Sequence, residues 1–245
     1  MTKIYEALEH AEVEVLDRSH EIPPLRSGVS LSSPKVSESL LDGELRIYQG
    51  LAALVPDSTK KIIQFIGSRE GEGTSTVVRE FARVSALKFD KLVLLLDADH
   101  HHPTQHLFFN IHLDLGWQDV VGENGSIEKA LYRIGDTRLF LCPSSRNPAA
   151  PSQMFSSLQM DLFLKKLRER FDLVLIDSQP ATTSTDGLAI SSKVDGVVLV
   201  VEAEKTRWPV AETVRDKIKR SGGNILGVVL NKRRYYIPEW IYKRL

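Results

Sequence analysis

From residue 61 onward the hydrophobic positions of this chain fall into short continuous runs, separated by stretches with helical spacing. The runs at 61–66, 91–97, 138–142, 172–177, 196–202 and 225–230 have the length of strands. Those at 92–96, 173–176 and 197–201 are apolar without alternation, the pattern of parallel strands buried on both faces. Between the runs, the 3.6-residue period predicts helices over 77–88, 104–109, 116–122, 126–133, 152–170, 183–193 and 207–221. Alternation of this kind predicts βαβ units and an α/β fold, with ligands bound at the carboxyl ends of the strands. No internal repeat is found.

The two ends differ from this core. Ile4, Leu8, Ala11 and Val15 form one helical stripe, and residues 17–36, with Pro23, Pro24, Pro34 and several serines, read as a linker. A second helical pattern over 36–54 is interrupted by Gly43. Residues 232–245 mix Lys and Arg with Tyr235, Tyr236, Trp240 and Tyr242. That composition suits an anionic membrane surface, and serves equally for docking in a partner's groove or packing on the sheet. The expected organisation is an N-terminal helix and linker over 1–35, a core domain over 36–232 and a basic aromatic tail over 233–245.

Composition narrows the partners. The 245 residues carry 32 basic and 32 acidic side chains, so no global field favours nucleic acid. Cys142 is the sole cysteine, which excludes an internal disulfide and fits a reducing compartment. No apolar run approaches the ~20 residues that span a bilayer, and the first residues lack the apolar stretch of a signal peptide. A cytoplasmic protein is expected, with a peripheral place at the inner face of the cell membrane through a membrane-bound partner.

Three candidate sites lie at predicted strand ends. Residues 67–76, Gly-Ser-Arg-Glu-Gly-Glu-Gly-Thr-Ser-Thr, stand between a strand and a helix, the setting of a phosphate-binding loop. Glycines let backbone N–H groups approach a phosphate, and the helix N-terminus adds partial positive charge. Gly71, Glu72, Gly73, Thr74, Ser75 and Thr76 are therefore candidate nucleotide-binding residues. Thr74 stands where such loops carry lysine, while Ser75 keeps a hydroxyl for Mg²⁺. Asp97-Ala98-Asp99 follows the second run; its carboxylates could hold Mg²⁺ or act on a hydroxyl, or simply cap a turn. Asp177, after four apolar residues, has the pattern of a carboxylate that orients Mg²⁺ or attacking water. His100, His101 and His102, with His106 and His112 nearby, read as a polar loop, since consecutive residues rarely converge on one metal ion.

The order and spacing of these motifs resemble the cytoplasmic domain of bacterial tyrosine kinases (BY-kinases), MinD/ParA-like P-loop ATPases that regulate capsule and exopolysaccharide assembly. The family carries a loop ending Gly-Glu-Gly-Lys-Ser-Thr, which residues 71–76 match except at Thr74, and Asp-Ala-Asp-x-Arg-x-Pro, which residues 97–103 match with histidine in place of the arginine. Residues 171–180 resemble its Walker B strand, and 227–231 its last strand, whose terminal Asn231 is expected near the base. The opening Lys-Ile-Tyr-Glu-Ala-Leu and the tail resemble members from exopolysaccharide gene sets. The resemblance implies a P-loop three-layer sandwich with a mainly parallel sheet, an N-terminal helical arm and a basic aromatic tail. It further implies ATP and Mg²⁺ as cofactors, Asp97, Asp99 and Asp177 as catalytic residues, and Ser75, Asp97 and Asp177 around the metal. Tyr235, Tyr236 and Tyr242 would be phosphoacceptors. The implied partner is a membrane-embedded polysaccharide chain-length regulator, with self-association.

The departures weigh against full activity. Loss of one charge-assisted bond to phosphate weakens binding by about ten- to a hundredfold. Arg69, in the same loop, is an alternative source of positive charge. The family's oligomerisation motif Glu-x-x-Arg-x-x-Arg aligns with Gly43, Arg46 and Gln49, so one residue of three persists. The alternatives are a catalytically inactive scaffold of the export machinery and a partitioning-type ATPase, the latter disfavoured by Ser68 where an early lysine is needed.

Overall fold

A computed structural model describes residues 61–122, 125–146 and 151–233; the predicted N-terminal helix, the linker, the 36–54 pattern and the tail tyrosines lie outside them. Seven strands form one sheet in the order β3-β4-β2-β5-β1-β6-β7. These are β1 (Lys61–Gly67), β2 (Val93–Asp97), β3 (Tyr132–Arg133), β4 (Leu139–Cys142), β5 (Leu173–Ser178), β6 (Gly196–Glu202) and β7 (Ile225–Asn231). All pairings are parallel except β3 with β4.

The helices are α1 (Thr74–Lys88), α2 (Gln105–Phe108), α3 (Trp117–Gly122), α4 (Pro151–Phe155), α5 (Leu158–Arg170), α6 (Asp186–Ser191) and α7 (Trp208–Arg220). They cover both faces of the sheet, as the unbroken apolar runs require. Ile63 and Phe65 of β1, with Val93, Leu95 and Leu175, pack against Val78, Phe81 and Ala82 of α1. On the other face Ile62, Leu94, Leu96, Val174 and Ile176 pack with Trp117, Phe163 and Leu167. Val214 and Ile218 of α7 extend that layer over β6. One polar residue interrupts the buried run of β1: Gln64 donates to Ser178 Oγ at 2.8 Å and to the Gly187 carbonyl at 2.6 Å, and accepts from Ser191 Oγ at 2.8 Å. Its hydrogen bonds fasten α6 to the sheet without leaving a buried amide unpaired.

Two expected helices differ. Residues 126–133 form a 3₁₀ turn (Ile127–Ala130) followed by strand β3, because Tyr132 and Arg133 find backbone partners on the open edge of β4. The span 152–170 is two helices; Ser157 has extended backbone and its hydroxyl accepts from Met160 N, so it caps a new helix. The remaining strands and helices fall within a few residues of the pattern.

Candidate functional site

Parallel order brings the ends of β1, β2 and β5 together. The loop after β1 turns through Gly71 (φ 82°) and Gly73 (φ 87°), left-handed positions that glycine occupies without strain. Helix α1 starts at Thr74 with no side chain capping it and no acidic residue in its first turn. Its first N–H groups therefore remain for an anion. A cleft of about 430 Å³ lies over the loop, lined among others by Gly71, Glu72, Gly73, Thr74, Ser75, Thr76, Asp99, Gln179 and Lys232.

Glu72 shapes this loop from within. Its carboxylate is buried and accepts from Ser68 N (2.6 Å), Ser68 Oγ (2.6 Å), Arg69 N (2.9 Å) and Thr206 Oγ1 (2.5 Å). Of the predicted nucleotide-binding residues, Glu72 thus spends its side chain on the loop itself. Arg69 is exposed along the cleft. Asn231 donates to the Glu72 carbonyl at 2.8 Å, and a Cβ at Gly73 would fall 2.4 Å from its amide nitrogen. The end of β7 is thereby fitted against the loop backbone.

Asp97 and Asp177 form a second wall behind the cleft's lining, which of the three aspartates only Asp99 joins. Asp97 and Asp177 are in register across β2 and β5, and both are buried. Burial raises Asp97 well above the usual carboxylate range, with repulsion from Asp177 adding to it. Burial pushes Asp177 up to about 6, against the hydrogen bond from Gln105 and the Ser75 hydroxyl, which favour its ionised form. Asp177 Oδ1 has no hydrogen-bond partner among the described residues. Asp99 is engaged locally: its Oδ1 accepts from His101 N (3.1 Å) and His102 N (3.0 Å). Ser75, Asp97 and Asp177 come together; Asp99 stands beside them with its carboxylate holding a turn.

Two residues here escaped sequence reasoning. Gln105, the first residue of α2, donates from Nε2 to Asp177 Oδ2 at 2.7 Å and to the Ser75 carbonyl at 3.0 Å, while its backbone N–H reaches Asp97 Oδ2 at 3.2 Å. Arg79 of α1 donates to Gln105 Oε1 at 3.3 Å, and its guanidinium lies 3.7 Å from the Phe108 ring centre. A buried arginine on a helix stripe was the only sequence signal for this network. The histidine run divides: His100 Nδ1 meets Gln179 Nε2 at 2.8 Å and its Nε2 faces Asp186 at 3.5 Å, whereas His101 and His102 line the cleft. Among the described residues no group of three His, Cys, Asp or Glu side chains is placed to hold a metal ion. A Mg²⁺ site here would draw on Ser75 and bound phosphate besides the two carboxylates, and the unpartnered Asp177 Oδ1 is an oxygen such an ion would satisfy.

No family model matches the chain. The tyrosine-protein kinase Ptk of Acinetobacter johnsonii is 26% identical over 224 residues, which are 91% of this chain and 30% of that kinase. The tyrosine-protein kinase YwqD of Bacillus subtilis is 26% identical over 209 residues, 85% of this chain and 87% of that protein. The chain thus spans under a third of the first relative and most of the second. The chimerical protein CapA2B2 superposes with a TM-score of 0.75 at 24% identity, covering 86% of this chain and 95% of that one. The septum site-determining protein MinD of Pyrococcus horikoshii, solved with Mg-ADP, gives 0.61 at 21% identity, over 75% and 76%. The homologues are bacterial tyrosine kinases, and the fold is the mainly parallel P-loop α/β fold of these neighbours.

Proposed function

We propose that the chain is a BY-kinase-like regulator of capsule or exopolysaccharide synthesis, with a cleft for Mg-nucleotide whose affinity and phosphoryl transfer are weakened by Thr74. The observation that carries this reading is the meeting of an uncapped helix N-terminus with Ser75, Asp97 and Asp177, one carboxylate oxygen of which is unpartnered. The backbone N–H groups of residues 73–75 would take the β-phosphate, since Thr76 N already donates to the Gly73 carbonyl. Ser75 and Asp177 would hold Mg²⁺, with Asp97 behind them; the ion supplies neutralisation of phosphate charge. Gln105 would keep Asp177 oriented through Oδ2 and leave Oδ1 to the ion. Burial raises Asp97 above the ordinary carboxylate range, so it would be a stronger base toward a hydroxyl than an ordinary carboxylate. The proposed acceptors are the tail tyrosines Tyr235, Tyr236 and Tyr242, the proposed core domain is 36–232, and Asn231 is the proposed contact to the base. The proposed partner is a membrane-embedded chain-length regulator.

A specific feature favours the second reading, a catalytically inactive scaffold. Gln105 donates to Asp177 Oδ2, and Arg79 backs Gln105 and adds positive charge near the pair, so the chain's own side chains partly satisfy the acids, as a site relieved of catalysis would be maintained. The two readings separate in a melting experiment. Millimolar Mg-ADP should raise the melting temperature by about 2–5 °C, and Asp177→Ala should abolish the response. Absence of any shift at that concentration in a folded protein would support the scaffold.

A further inference from the structure

Thr74 leaves the loop without its phosphate lysine, yet two basic side chains line the cleft: Arg69 and Lys232. We propose that Lys232, from the far end of the chain, supplies the phosphate-binding charge that Thr74 withholds; this rests on the nucleotide reading above. Lys232 follows β7 directly and has φ 57°, a left-handed conformation that costs a non-glycine residue about 1–2 kcal/mol. Strain of this kind persists where surrounding contacts impose it, and it concentrates at ligand sites. Here the contacts are visible. Ala203 N donates to the Asn231 carbonyl at 2.8 Å, and the Asn231 amide donates to the Glu72 carbonyl at 2.8 Å. The turn after Asn231 then sends the lysine back over the loop. Its Nζ donates to the Gly71 carbonyl at 2.5 Å, and its Cε would lie 3.7 Å from a Cβ on Gly73.

The ammonium is therefore already at the crown of the loop, on a neutral acceptor that a phosphate oxygen outcompetes. Its other neighbour, Glu202 Oε2 at 3.5 Å, also has Lys205 at 3.2 Å, so releasing Lys232 leaves no carboxylate unpaired. Arg79 is no substitute, because its guanidinium lies buried against Gln105 and Phe108 and does not line the cleft. Arg69 is exposed, and ordering its side chain on a phosphate would lose more rotamer freedom than shifting a lysine already held against the loop. The ligand group in question is the β-phosphate of a nucleoside di- or triphosphate.

The test is a mutant cycle read by calorimetric titration of Mg-ADP into the full chain. Lys232→Met keeps the aliphatic stem and removes the charge. In the wild-type background it should weaken binding by about tenfold or more, whereas Arg69→Met should change it by under about threefold. In a Thr74→Lys background the effect of Lys232→Met should shrink to under about threefold, because the loop then has its own cation. An equal loss in both backgrounds would mark Lys232 as a structural residue and overturn the proposal, as would an unchanged affinity in the wild-type background. If Thr74→Lys binds and the wild type does not, the nucleotide frame survives and the Lys232 proposal fails. If neither binds while both melt normally, the nucleotide reading itself fails.

Discussion

The loop wall of the cleft and the carboxylate wall behind it are maintained by opposite means. The loop wall is a set of backbone groups held in shape by one buried acid: Glu72 gathers two N–H groups and two hydroxyls, and leaves the start of α1 open. The carboxylate wall is a pair of buried acids, one of which is bonded by an amide that a guanidinium in turn backs. On the first wall a positive side chain has been lost; on the second both negative ones remain. Charge balance therefore distinguishes the walls more than geometry does. A P-loop cation contributes only when phosphate is present, so its loss leaves the empty fold intact. Asp97 and Asp177 are packed into the sheet, so losing either changes the resting protein as well as the liganded one.

The strongest way to break the contrast is to remove the acid that shapes the loop. Glu72→Ala would strand buried Ser68 N–H and free the link to Thr206, a loss of about 3 kcal/mol, or about 6–12 °C in melting temperature for a domain of this size. A drop below about 2 °C would mean that the glycines and β7 hold the loop without it.

A smaller effect of opposite sign is expected on the other wall. Asp177 has its folded pKa raised, so its favourable contribution is complete below the unfolded value and is lost as pH rises through about 6. Without Mg²⁺, Asp177→Asn should therefore stabilise the protein at pH 7.5, and the gain should vanish towards pH 4. Adding Mg-ADP at pH 7.5 should stabilise the wild type and leave the Asn variant unmoved. A variant less stable than wild type at both pH values would show that Asp177 is held ionised at no net penalty, and the two walls would no longer differ in the way described.

How much of this was legible in the sequence depends on distance along the chain. Unbroken apolar runs ending in Asp97 and Asp177 announced buried parallel strands with carboxylates at their ends, because strand burial and strand termination are both local signals. The glycine loop was equally local. Gln105 was not, since its tie to Asp177 joins residues 72 apart, and the contact of Lys232 with Gly71 spans 161. Neither residue type is distinctive in its own neighbourhood. Glu72 was placed among the ligand-binding residues by its position in the motif, although its carboxylate turns inward to Ser68, Arg69 and Thr206. Strand β3 escaped because two residues are too few to show a period, and their pairing depends on an edge of β4 that only the fold creates.

The central claim is that a nucleotide frame persists here and that what it lacks is one charge at position 74. Titration of Mg-ADP into wild type and Thr74→Lys, side by side and at matched melting temperature, tests it most directly. The account predicts measurable but weak wild-type binding and about a ten- to hundredfold gain from the lysine. A folded Thr74→Lys protein that binds no better than wild type would contradict it.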